Sequence, residues 1–243
     1  TNAADAIEAY AAYLELKAYA DALVAVAVDA EYSADNQTLD GAITTAESDI
    51  ATVTTVAENE EVNTALRAAM DTYAATAEPS SAEDPFNLTY MLTNPDVTDY
   101  WTGTWYVVPD GWYTDQTGGN FQVMANEELG PGGEVFIEYW SENARTSGFV
   151  LYQKATLPEG TYKMTGRVGL LQDTGDATAN MTFSANETDG TQIAVGSLAD
   201  QSVEFVNQTE QEVKIGLKAQ EGNTYRWIGI NDIKMYKVPA KAY

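Results

Sequence analysis

The stretch Thr161-Tyr-Lys-Met-Thr-Gly-Arg-Val-Gly-Leu170 decides the fold of this chain. Tyr162, Met164, Gly166, Val168 and Leu170 fall on one side of an extended backbone, and Lys163, Thr165 and Arg167 on the other. Successive strand side chains point to opposite faces, so a period of two predicts one face in a core and one in water. The alternation recurs at Met181 and Phe183 against Thr182 and Ser184. It recurs again at Val213, Ile215 and Leu217 against Lys214, Gly216 and Lys218. Further strands are predicted at 88–94, 104–108, 121–124, 134–140, 148–155, 191–196, 202–206 and 225–237. Turn residues separate them at Asp110-Gly111, Gly118-Gly-Asn120, Gly130-Pro-Gly-Gly133, Pro158-Glu-Gly160, Asp189-Gly190 and Glu221-Gly-Asn223. Roughly nine to eleven short strands indicate an antiparallel two-sheet sandwich, a jelly roll.

Upstream of residue 80 the period changes to that of a helix. Ile7, Ala11, Leu14, Ala18, Ala22, Ala25 and Val28 recur at spacings of three and four. So do Leu39, Ile43, Ala46, Ile50, Val53 and Ala57, and then Val62, Leu66, Met70 and Tyr73. Such stripes predict amphipathic helices facing a common core, in an up-down-up three-helix bundle. Ser33-Ala-Asp-Asn-Gln-Thr38 and Glu58-Asn-Glu60 supply the breaks, and Tyr10 and Tyr13, beside Leu14, are predicted to close the bundle. Glu78-Pro-Ser-Ser-Ala-Glu-Asp-Pro85 has linker composition. The class is therefore α+β as two domains: a helical bundle at 1–78, a linker at 79–85, a sandwich at 86–239 and a tail at 240–243.

Composition bounds the chemistry. The net charge of -25 disfavours nucleic acid and anionic lipid as partners. A hydrophobic fraction of 44% is that of a folded chain. The longest apolar run, Ala22–Val28, is too short to span a membrane. Cysteine and histidine are both absent, which excludes thiolate catalysis, disulfides and Ser–His hydrolases. The first residue is Thr1, which reads as the mark of a removed leader and an exported protein, secreted, periplasmic or anchored at the cell surface.

The segments around the strands resemble a known family. Leu92-Thr-Asn-Pro-Asp96 followed by Gly111-Trp112 resembles the Asn-Pro-x-Phe-Glu … Gly-Trp opening of many β-sandwich carbohydrate-binding modules. Leu157-Pro-Glu-Gly-Thr-Tyr162 resembles their Leu-x-x-Gly-x-Tyr strand start, and Trp227-Ile-Gly-Ile-Asn-Asp-Ile-Lys-Met235 their closing strand. The layout is similar to that of secreted or surface proteins of gut Bacteroidetes. The resemblance covers residues 88–238 and implies a galactose-binding-like jelly roll with a non-catalytic sugar-binding role, preceded here by a helical spacer. It also implies a structural calcium, held by an Asp of the last strand, here Asp232, and by a Glu. That Glu is missing, because Val97-Thr98 stands where the family has Phe-Glu. Asp96 or Asp99 then becomes the second ligand, since calcium accepts any nearby carboxylate. Ordinary turn and edge groups would read the same way.

Sugar rings present flat C–H faces to Trp and Tyr while amides and carboxylates bind their hydroxyls. Trp101, Trp105, Tyr113, Trp140 and Asn143 are the predicted carbohydrate-binding residues. Asn120, Gln122, Glu138 and Arg145 are further hydroxyl partners, whereas Trp112 and Trp227 match motif positions that the resemblance makes structural, hence core. The partner is then a glycan or polysaccharide, or another surface protein. Two other readings stay open. One is a structural or protein-interaction module. The other is a glycoside hydrolase using two carboxylates, for which Glu134 and Glu138, about 13 Å apart on one strand face, are too distant.

Overall fold

The computed structural model describes residues 3–97, 108–125, 135–141, 147–170, 180–193, 199–221 and 227–240. The chain divides into two compact units. One is Thr1–Tyr90 with Pro158–Thr161 and Tyr236–Tyr243; the other is Met91–Leu157 with Tyr162–Met235.

The first unit holds α1 (Ala3–Ala25), α2 (Ser33–Ile50) and α3 (Val56–Thr76). Leu39, Ile43 and Ala46 of α2 and Leu66, Met70 and Tyr73 of α3 are buried, as their spacing predicts. The break between α2 and α3 lies earlier than Glu58-Asn-Glu60. Thr55 caps α3, its hydroxyl accepting from Glu58 N at 3.2 Å while Glu58 Oε2 accepts from Thr55 N at 2.9 Å. This reciprocal pair satisfies amides that the first turn leaves unpaired, so Glu58 starts a helix instead of ending one. The α1 stripe also needs correction. The bundle buries Tyr13, Leu16, Ala20 and Leu23, whereas Ile7 and Leu14 are 70% and 48% exposed. Helix α1 is apolar on two sides, and the side bearing Tyr13, Leu16 and Leu23 removes more surface from water than one made chiefly of alanine. Tyr13 closes the bundle as expected; Tyr10, stacked on it at 5.9 Å, is 48% exposed.

Residues 79–90 pack with these helices. Val28 and Pro79 form an isolated bridge, and Ser80 N donates to Ala27 O at 2.9 Å. β1 (Phe86–Asn87) pairs with the end of β10 (Trp227–Val238), setting Phe86 opposite Lys237. A 3₁₀ turn at Thr89–Met91 follows, in place of the strand predicted at 88–94. Lys237 is fully buried, and its ammonium donates to Ala74 O at 2.9 Å and Ala77 O at 2.8 Å and pairs with Glu78 at 2.8 Å. It thereby neutralises carbonyls that the end of α3 leaves open.

The second unit is an antiparallel sandwich. One sheet runs β2 (Asn120–Ala125), β3 (Val135–Trp140), β10, β5 (Gly160–Leu170), β8 (Ala199–Asn207). The other runs β4 (Gly148–Leu157), β9 (Gln211–Ala219), β6 (Met181–Ala185), β7 (Thr188–Gln192). Strand β7 starts before the predicted 191–196 because Asn186, left-handed at φ 49, turns the chain in a two-residue hairpin. Met164, Val168 and Leu170 of β5 are buried, as are Phe183, Ile215 and Leu217 from the facing sheet. A Cβ on Gly166 would lie 2.8 Å from the Phe183 ring, so this glycine lets the two sheets close on each other.

Candidate functional site

The site grows from the register of β2, β3 and β10. Asn120, Trp140 and Trp227 form one cross-strand row, and Gln122, Glu138 and Gly229 the next. The intervening residues Phe121, Val123, Ile137, Tyr139, Ile228 and Ile230 are all buried and form the opposite, core face. Asp232 is left-handed at φ 51. It adds a residue to β10 in the manner of a bulge, so Ile233 and Met235 return to the face of Ile228 and Ile230. The first row therefore looks outward. Trp140 is 40% exposed and Trp227 half-buried.

Directly opposed residues on antiparallel strands have Cβ atoms about 5 Å apart, and successive rows lie about 7 Å apart. Two indoles thus stand side by side, one row from an amide–carboxyl pair. Glu138 is only 4% exposed, and Gln122 Nε2 donates to its Oε2. Burial pushes the Glu138 carboxyl up to about 7, against the opposing effect of the Gln122 hydrogen bond. Near neutral pH this group is partly protonated, so it both donates and accepts hydrogen bonds. Among the described residues the Trp227 Nε1–H is buried without an acceptor. Gly229 makes room for the Phe136 ring, which covers the second row: a Cβ there would lie 2.9 Å from that ring. The arrangement sets the exposed Trp140 indole beside the half-buried Trp227, one row from Gln122 and the buried Glu138.

Of the residues predicted from sequence, Trp140, Asn120, Gln122 and Glu138 come together here. Trp227 belongs with them and not in the core, because it alternates with the buried Ile228. Its lack of alternation with charged residues hid this in the sequence. Trp112 is core, 4% exposed, with Nε1 donating to Asn94 O at 2.8 Å. Tyr113 lies elsewhere. It bridges to Tyr152 of β4, stacks on that ring at 5.7 Å, and has the Lys154 ammonium 4.7 Å from its own ring. Tyr152 and Lys214 both donate to Asp115, at 2.9 Å and 2.8 Å, on the outer face of the second sheet. That ion pair and those hydrogen bonds hold the Asp115 carboxyl below its ordinary value, against the opposing effect of burial. Tyr113 and Trp140 thus stand on opposite outer faces of the sandwich and cannot serve one sugar ring.

Trp101, Trp105, Asp99, Asn143, Arg145 and Glu134 lie outside the described residues. For the metal reading, Ile233 N donates to Pro95 O at 3.1 Å, which draws the segments of Asp96 and Asp232 together. The Asp232 carboxylate, however, is paired with Lys234 at 2.9 Å, and Asp96 is exposed. Among the described residues no group of three acidic side chains gathers to hold an ion. These residues do not fit a calcium site by themselves.

No protein-family model matches the chain, and no curated protein sequence does. Similar solved structures include carbohydrate-binding modules. The TmCBM61 module in complex with β-1,4-galactotriose is 19% identical over 60% of this chain and 97% of its own, with a TM-score of 0.38. The CBM22-1 xylan-binding domain of Paenibacillus barcinonensis Xyn10C is 13% identical over 54% of this chain and 88% of its own, with a TM-score of 0.39. The CBM22-1–GH10 modules of Clostridium thermocellum xylanase 10B, complexed with xylohexaose, are 17% identical with a TM-score of 0.40, covering 55% of this chain and 27% of that one. A Stig cyclase from Fischerella sp. TAU is 12% identical over 62% of this chain and 97% of its own, with a TM-score of 0.43.

Proposed function

We propose that the sandwich is a non-catalytic carbohydrate-binding module of an exported protein, and that it binds a glycan on the row Asn120–Trp140–Trp227. The observation that carries this is the exposed Trp140 indole, with Trp227 opposite it in register and the Gln122–Glu138 pair one row away. A sugar face stacks on the exposed Trp140 indole, and its hydroxyls answer the half-buried Asn120 and Gln122 amides beside it. A binding role fits better than hydrolysis, because among the described residues Glu138 has an amide beside it where a glycosidase needs a second carboxyl. The helical unit then acts as a spacer.

The test is a screen of plant, host and microbial polysaccharides, with and without calcium, followed by calorimetry on each hit. Trp140→Ala is expected to weaken binding about tenfold or more, equivalent to about 1.4 kcal/mol, while Tyr113→Ala leaves it unchanged. Binding that survives Trp140→Ala would refute the assignment of this row. Loss with Tyr113→Ala instead would move the site to the Tyr152 face. No binding to any glycan would favour a structural or protein-interaction module.

A further inference from the structure

Helix α1 carries a second apolar face. Its buried side presents Tyr13, Leu16, Ala20 and Leu23 to α2 and α3. Ile7, Ala11, Leu14, Ala18, Ala22 and Ala25 lie about 180° around the helix and are all exposed. Their spacing of three and four residues is that of a helix–helix seam, about 27 Å long. Mostly small side chains let a neighbouring backbone approach closely, with Ile7 and Leu14 as the larger knobs. Along the Tyr10 edge the seam runs into a cavity of about 180 Å³ lined by Ala6, Tyr10, Ile50, Val53, Val56 and Asn59.

Charge selects the occupant. Glu8 and Glu15 border one edge of the seam and make no ion pair among the described residues. The cation on the other edge, Lys17, is already held by Asp21 at 2.6 Å and Glu47 at 3.0 Å. Residues 1–80 carry 15 acidic and two basic side chains. A second copy would bring two such surfaces together, and antiparallel pairing would set Glu8 and Glu15 against their own equivalents. An anionic membrane is repelled in the same way. A helix with an apolar stripe flanked by lysine or arginine meets both requirements, because it covers the seam and answers the free carboxylates.

We infer that the outer face of α1 is a docking surface for a basic amphipathic helix of a partner protein. The probe is a synthetic three-heptad peptide with Leu at the two seam positions and Lys at the flanking ones. Its controls are a scrambled peptide of the same composition and one with Glu at the flanks. Binding to the full chain is followed by fluorescence anisotropy at low and high salt. The Lys-flanked peptide is expected to bind about tenfold tighter than the scrambled one, to weaken with salt, and to lose about tenfold on Ile7→Ser/Leu14→Ser. That double variant changes only exposed side chains, so its unfolding midpoint should match the parent. Equal binding of the scrambled peptide, or binding unaffected by the double variant, would overturn the inference. A dimer of the chain that the double variant abolishes would assign the face to a second copy. Retention on phosphatidylcholine vesicles lost in the same variant would assign it to a lipid surface.

Discussion

Replacing Glu138 by Gln separates the cost of burying this carboxyl from everything else in the sandwich. On folding, its pKa rises from an ordinary 4.5 to about 7 because the group is buried, an effect that the hydrogen bond from Gln122 only partly offsets. Between those values the folded state binds more protons than the unfolded one, so stability falls as pH rises. The contribution of protonated Glu138 is fully present below 4.5 and lost above 7. At about 1.4 kcal/mol for each tenfold change in proton affinity, the wild type gives up about 1 kcal/mol at pH 5 and about 3 kcal/mol at pH 8. Gln fills the same volume, keeps an acceptor for Gln122 and never ionises. The stability of Glu138→Gln relative to wild type should therefore rise by about 2–3 kcal/mol between pH 5 and pH 8, or roughly 5–10 °C in midpoint for a domain of this size. All five Trp lie beyond residue 80. Their fluorescence during urea unfolding thus reports on the sandwich and not on the helices. A difference between variant and wild type that stays constant from pH 5 to pH 8 would refute the reasoning and would mean that the carboxyl is solvated or paired.

Two further changes test the packing of each unit. Lys237→Met removes the ammonium that holds Ala74 O, Ala77 O and Glu78; leaving that carboxylate and those carbonyls without it should cost about 3–5 kcal/mol, read as earlier loss of far-UV helical signal. Gly216→Ala sets a Cβ against Leu151 O and 2.6 Å from Tyr152 Cα, backbone atoms that cannot swing aside; it should cost about 3 kcal/mol in urea unfolding, and an unchanged midpoint would show that β4 and β9 separate easily there.

Much of the architecture is local and therefore legible in the chain. Alternation at Tyr162–Leu170 and Val213–Leu217 predicts strands because each side chain must choose water or core, and the choice repeats every second residue. The three helices follow for the same reason at their own period. Periodicity does not choose between two stripes on one helix. Helix α1 has both, and only the volume offered by α2 and α3 put Tyr13 and Leu23 inside and left Ile7 and Leu14 out. The α2–α3 break was legible in principle, since Thr55 followed by Glu58 is a capping box, but an apolar stripe running across it masked the signal.

The candidate site divides along the same line. Residue type alone marks Trp140, Asn120, Gln122 and Glu138 as groups able to meet a sugar, because aromatic faces and amide or carboxyl oxygens are the chemistry such a ligand requires. Strand pairing then decides which of them share a surface. The register of β3 against β10 brings Trp227 out beside Trp140, and the bridge of Tyr113 to Tyr152 carries Tyr113 to the other sheet. The sequence by itself determined the two kinds of secondary structure, the acidic surface and the absence of thiol and imidazole chemistry, all of which depend on neighbouring residues or on composition. Only the tertiary structure decided which tryptophans are neighbours and that Glu138 is buried, because both depend on strands brought together from distant parts of the chain.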